Sequence, residues 1–281
     1  MTTPSPNAPP RFDSNRAWQD ASSTVLANRD MLIALAGVFL VLPAFAITVL
    51  NPPPEPPQGA DFKAVLEMLG TYFKGAWPGY LLVGLINTIG TMAILALFGH
   101  ASRPTVGQAI GQGLTTTPIA IVVQITQGFL LTGAIMLPST ILGLSGSPGL
   151  AALGILIGAG LAIYLAVRLC LANAVIAIDG LRNPIAALQR SFALTRANAG
   201  RLLVFFALLV LAFVISLQLI QWLIGLLAEL LIGGEAAVMI GALVGSILSA
   251  AMTVYLLAAT AASHRQLAGP AVRQSLVDKF G

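Results

Sequence analysis

The residues with the plainest chemical potential in this 281-residue chain are one serine in a motif, two histidines and one cysteine. Gly143-Leu144-Ser145-Gly146 has the G-x-S-G spacing of a serine nucleophile. A hydroxyl attacks well only when a base takes its proton, and the only histidines are His100 and His264. Both stand at the ends of apolar runs, a full membrane away from Ser145, so the motif reads as a loop coincidence. The single Cys170 excludes an intramolecular disulfide and sits in an apolar run, where a thiol packs as a small hydrophobe. One cysteine, two separated histidines and no clustered acids cannot supply the three or four ligands of a metal site. A phosphate-cradling P-loop is also missing. The expectation is a protein without catalytic residues, metal or cofactor.

Polar residues inside the apolar runs are the remaining candidates. Asn87, Gln124, Gln127 and Asn173 must find partners where there is no water. Gln124 and Gln127 are three apart and so share one helix side. Two readings stay open. These amides bond between helices at about 0.6 to 2 kcal/mol each, or they line a path for a solute or a lipid headgroup. Arg168 is the one cation deep inside an apolar run, Arg201 standing at the very edge of its own; about 18 residues from Leu150 at 1.5 Å each place it roughly 27 Å across, within snorkelling reach of phosphates.

Six apolar runs must position these residues, near 31–50, 79–99, 118–138, 150–176, 199–231 and 236–262. Each can cross a hydrocarbon core of about 30 Å, which takes roughly 20 residues. Of the 14 Lys and Arg residues, only Lys63 and Lys74 fall outside if the N-terminus is inside. The positive-inside rule then puts both termini in the cytoplasm. With 57% hydrophobic and 9% charged residues, the chain would leave too much apolar surface in water as a soluble domain. The net charge of +4 is spread over several loops without aromatic interleaving, which argues against nucleic acid and for anionic headgroups. Ala44-Phe45-Ala46 has the form of a cleavage site, but apolar residues continue to Leu50 and a polar segment precedes the run, so a retained span is expected.

Between the runs, Pro104 to Thr115 and Pro184 to Thr195 share Pro and Leu-Thr at an offset of 80 positions, with a weaker copy around Ala17 to Leu32. Each precedes an outgoing span and its return, the pattern of three parallel units of interfacial helix plus hairpin. In the 184–198 copy, Ile185, Leu188, Phe192 and Thr195 share a face that would enter the acyl boundary, with Arg190 and Arg196 at phosphates. The Gly- and Gln-rich 104–116 copy reads as a looser hinge. Outside, the Pro-rich stretch from Asn51 should favour polyproline II, followed by a short helix from Asp61 lying on the outer surface, where it could also dock a partner. Gly154 with Gly158, and Gly241 with Gly245 and Ser249, are small-xxx-small ridges for close helix packing.

Ala172 to Leu203 resembles the hallmark stretch of the membrane domain that accompanies some bacterial glycerophosphoryl diester phosphodiesterases and also occurs alone. Asp179, Ala187, Leu188, Arg190, Ser191, Leu194 and Thr195 carry the resemblance. It implies an integral inner-membrane protein; the catalytic barrel of those enzymes has no room here.

The combined expectation is an all-α integral membrane protein with six transmembrane helices and interfacial amphipathic helices in the bacterial inner membrane. Residues 1–16 would form a disordered cytoplasmic tail, 17–265 the six-helix membrane domain, and 266–281 a cytoplasmic C-terminal tail. Arg168, Arg182, Arg190, Arg196 and Arg201 are the candidate headgroup contacts. The function expected is organising or sensing anionic membrane lipids, with a lipid or solute carrier as the alternative. A homo-oligomer or a membrane protein partner is the further expectation, and nucleic acid is not.

Overall fold

A computed structural model of the protein describes residues 11–52, 54, 59, 61–99 and 105–269. Residues 1–10, where a disordered tail is expected, most of the segment expected to favour polyproline II, His100, Arg103, Pro104 and the tail from 270 onward lie outside the described residues. Among those described, the only regular elements are helices: α1 (Ser14–Ala27), α2 (Arg29–Ala36), α3 (Leu42–Leu50), α4 (Phe62–Gly99), α5 (Val106–Gly143), α6 (Pro148–Leu169), α7 (Ala172–Ile178), α8 (Pro184–Thr195), α9 (Ala199–Leu231) and α10 (Gly234–Ala268). One π-helical turn, Gly37–Val41, joins α2 to α3 without interrupting the rod. Six stretches are long and apolar enough to cross a membrane: Arg29–Leu50, Phe62–Gly99, Val106–Gly143, Pro148–Ile178, Ala199–Leu231 and Gly234–Ala268. The protein is an all-α polytopic membrane protein.

Local chemistry sets the helix starts. Asp13 caps α1 by accepting from the Arg16 amide at 3.1 Å, and Asn183 caps α8 by accepting from Ile185 and Ala186 at 2.9 and 3.2 Å, with Pro184 at the first position. Thr105 and Gln108 form a reciprocal capping box that starts α5. The tight α5–α6 and α9–α10 hairpins turn at Gly146 (φ 72°) and Gly233 (φ 67°), a backbone region that favours glycine.

Three expectations need correction. The 104–116 segment is no separate hinge helix: its described part forms the first turns of α5, which runs 38 residues through Pro118. Once the capping box starts the helix, Gly113 lets it continue against α4, where a Cβ would lie 2.9 Å from the Ala93 nitrogen. The helix from Asp61 likewise does not lie flat but continues through Pro78 as α4. A proline inside a helix costs about 3 kcal/mol, and packing near it holds the rod: the Tyr72 hydroxyl donates to the Asn51 carbonyl at 2.7 Å. At 38 residues each, α4 and α5 are about 57 Å long, well beyond the hydrocarbon core. Finally, the ordered chain starts before residue 17 and passes 265. Phe12 is 3% exposed and stacks edge-on against Phe205 at 5.4 Å, while Gln266 and Leu267 belong to α10.

The densest packing lies at the end of the bundle that carries the arginines. Met92, Leu95 and Phe98 of α4, the apolar residues of α7, and Ala258 and Ala262 of α10 converge there with Phe12, Leu32, Ala187 and Leu202. Apart from Asn173, helix α7 is apolar on every side, as suits a helix surrounded by others. Toward the far end, Phe73, Leu137, Leu144, Leu231 and Val238 are exposed, as lipid-facing side chains are.

Candidate functional site

Helix α7 ends at Asp179, whose amide donates to the Val175 carbonyl at 3.0 Å. Gly180 (φ 69°) then reverses the chain into α8. This places the Asp179 carboxylate, 11% exposed, between two cations or potential cations. His264 in the last turns of α10 is 1% exposed, with Nε2 3.2 Å from Asp179 Oδ1. That distance is within ion-pair reach, yet neither His264 nitrogen makes an aligned hydrogen bond. On the other side, Arg190 Nε of α8 stands 3.9 Å from Asp179 Oδ2. Arg190 is 41% exposed and also lines a cleft of about 540 Å³ at the basic end, together with Leu194, Arg196, Asn198 and Leu267.

The cleft walls are well anchored. Asn198 accepts the Phe12 amide at 2.9 Å, and Gln266 pairs with the Asp13 backbone in both directions, at 3.1 and 3.3 Å. Arg265 donates to the Phe98 carbonyl at 3.0 Å and to Thr24 at 3.4 Å, tying α10 to α4 and α1. The N-terminal segment is thus strapped across the end of the bundle beside the cleft.

Of the candidate headgroup contacts, Arg182, Arg196 and Arg201 are exposed and Arg190 partly so, but only Arg190 and Arg196 line the cleft. Arg168 is a correction: it is 4% exposed and meets protein, not phosphate. Its guanidinium donates to the Phe192 carbonyl at 2.6 Å and to the Tyr164 hydroxyl at 3.1 Å, and lies 3.6 Å from the Phe192 ring centroid. Helix α8 packs over the end of α6, which leaves no path for snorkelling. It does so through Ala187, Leu188, Ser191 and Thr195, while Ile185 and Phe192, expected in the acyl boundary on that same face, point partly or wholly outward.

The proposed polar path divides. Gln124 accepts from Thr88 of α4 at 3.3 Å, whereas Gln127 donates to the Leu169 carbonyl of α6 at 2.9 Å. Gln127 and Asn173 share a cavity of about 140 Å³ beside Cys170, and its lining includes neither Asn87 nor Gln124. The carbonyl oxygens of Asn87 and Asn173 are buried without a protein hydrogen bond. The packing ridges are where spacing put them: a Cβ on Gly154 would lie 2.5 Å from the Pro138 oxygen, and Gly245 leaves room for Gln221, which donates to the Gly241 carbonyl at 2.8 Å.

The Asp179–His264–Arg190 cluster escaped sequence reasoning as a unit. One signal was present: an acid directly after an apolar run and a histidine near the end of the last one are both costly at a membrane face unless they meet. Chemically, the cleft offers two guanidinium groups beside apolar side chains, a combination suited to a phosphate that carries a hydrocarbon chain.

Compared with known protein families, with curated proteins and with solved structures, the chain matches none.

Proposed function

We propose that this protein is a non-catalytic lipid-binding protein of the bacterial inner membrane that seats an anionic phospholipid headgroup in the cleft between α8 and the end of α10. The carrying observation is that Arg190 and Arg196 line one cleft with Leu194 and Leu267 at the basic end of a six-span bundle. Guanidinium groups pair with phosphate oxygens, and the apolar neighbours suit the first methylenes of a lipid. In this reading the basic end faces the cytoplasm, where positive loops and anionic lipids coincide. Membership in the membrane-domain family belongs to the same proposal, and in this chain the residues that carry the resemblance make tertiary contacts. The motif residues Asp179 and Arg190 stand 3.9 Å apart, and Ser191 and Thr195 both bond the Arg168 carbonyl.

Native mass spectrometry of the detergent-extracted protein with mixed lipids tests this. Wild type is expected to retain an anionic lipid that Arg190→Ala/Arg196→Ala loses. Equal retention, or none, overturns the headgroup reading. A carrier reading draws on the cavity at Gln127 and Asn173, and solute flux in liposomes that Asn173→Leu abolishes would favour it.

A further inference from the structure

We infer that Asp179 is the built-in competitor for the headgroup: its carboxylate holds Arg190 when the cleft is empty and yields that guanidinium to a lipid phosphate when the cleft is filled. The inference rests on the headgroup reading and adds the residue that sets its affinity.

The geometry is that of a loose hold. A charge-assisted N–H···O bond is typically about 2.7 to 2.9 Å long, whereas Arg190 Nε and Asp179 Oδ2 are 3.9 Å apart. Asp179 Oδ1 makes no aligned hydrogen bond either. A nearly buried carboxylate with no aligned hydrogen bond favours a cation beside it, which is what keeps Arg190 near. Arg190 is also the residue that belongs to both environments, since it lines the cleft that Arg196 shares. A phosphate between Arg190 and Arg196 would draw on the same guanidinium. The neighbour left to the carboxylate is then His264 on α10, whose Nε2 stands 3.2 Å from its other oxygen and has to close into an aligned bond. Filling the cleft therefore exchanges an α8–Asp179 contact for a closer Asp179–His264 one, and links lipid occupancy to the packing of α7 against α10.

The test is retention of phosphatidylglycerol, offered in mixed micelles with phosphatidylcholine, by native mass spectrometry of the full chain. Asp179→Asn removes the competing charge and keeps the shape. It is expected to retain several-fold more phosphatidylglycerol than wild type, and Asp179→Asn/Arg190→Ala is expected to fall to the level of Arg190→Ala. Unchanged or lower retention by Asp179→Asn, in a wild type that does bind the lipid, overturns the inference alone: the carboxylate would then position Arg190 instead of competing for it. No retention by wild type overturns the headgroup reading and this inference together. Inorganic phosphate added to the same samples separates the sources: displacement of the lipid at millimolar phosphate would mean a site for free phosphate and overturn the lipid assignment. Asp179→Ser makes the same comparison if the asparagine variant does not fold.

Discussion

The Ser191 hydroxyl donates to the backbone carbonyl of Arg168 at 3.0 Å, while the Arg168 guanidinium donates back to the carbonyl of Phe192 at 2.6 Å. The two bonds close a reciprocal clasp between α6 and α8. Thr195 adds a second hydroxyl to the Arg168 carbonyl at 3.1 Å, and Ser191 also accepts the Leu171 amide at 3.2 Å. The clasp has a clear origin. Helix α6 stops at Leu169, the chain turns, and carbonyls left without intrahelical partners need donors in a medium that offers no water.

Arg168→Ala should therefore behave as a folding defect. It removes a charged hydrogen bond worth about 1.5 to 3 kcal/mol and a ring contact worth up to about 2 kcal/mol. A lower melting temperature in detergent is expected, and Arg168→Lys should recover only part of it because an ammonium lacks the planar fork. Full recovery by lysine would show that charge alone matters.

Gly158 and Gly160 give a paired contrast within α6. A Cβ on Gly158 would lie 2.7 Å from Ile135 Cα, whereas one on Gly160 meets nothing within 4 Å. Gly158→Ala should push the α5–α6 hairpin apart and lower the melting temperature, and Gly160→Ala should leave it unchanged or slightly raised. Equal effects of the two substitutions would contradict the close packing of this pair.

Asp179 and His264 should be energetically coupled. A double-mutant cycle with Asp179→Asn and His264→Gln, followed by thermal unfolding, is expected to return an interaction of about 0.5 to 3 kcal/mol. Additive effects would mean that the 3.2 Å approach is incidental.

Orientation is measurable with single cysteines in a Cys170→Ser background. Lys74 and Arg182 are both exposed. On intact cells, an impermeant maleimide should label Lys74→Cys and spare Arg182→Cys. The reverse pattern would invert the proposed topology.

The spans were legible in the sequence because a run of about 20 apolar residues has few other uses. Helix length was less so. Pro78 and Pro118 are local stop signals, yet α4 and α5 run through them, packed against other helices that a local reading of the chain does not include. Arg168 lies near the end of α6, as its position in the run implies, but its partners come from elsewhere in the chain. Nothing local announces that α8 folds back to cover it. Ser191 and Thr195 were visible as motif letters, yet their role depends on a carbonyl on another helix. Asp179 and His264 were each noticed and not joined, since only the packing of α7 against α10 brings them together.

The strap made by Phe12 and Asp13 has a consequence for biosynthesis. Its acceptors and donors, Asn198 and Gln266, lie 186 and 253 positions further along the chain. The segment thus has no partner until Asn198 and Phe205 have been translated, and gains its second one, Gln266, only with α10. Before α10 follows, Phe12 can reach only Asn198 and Phe205, and the nascent bundle is half-latched at its basic end. The strap closes in two steps, Phe12 onto α9 and then Asp13 onto α10, and is complete only once α10 has joined the bundle.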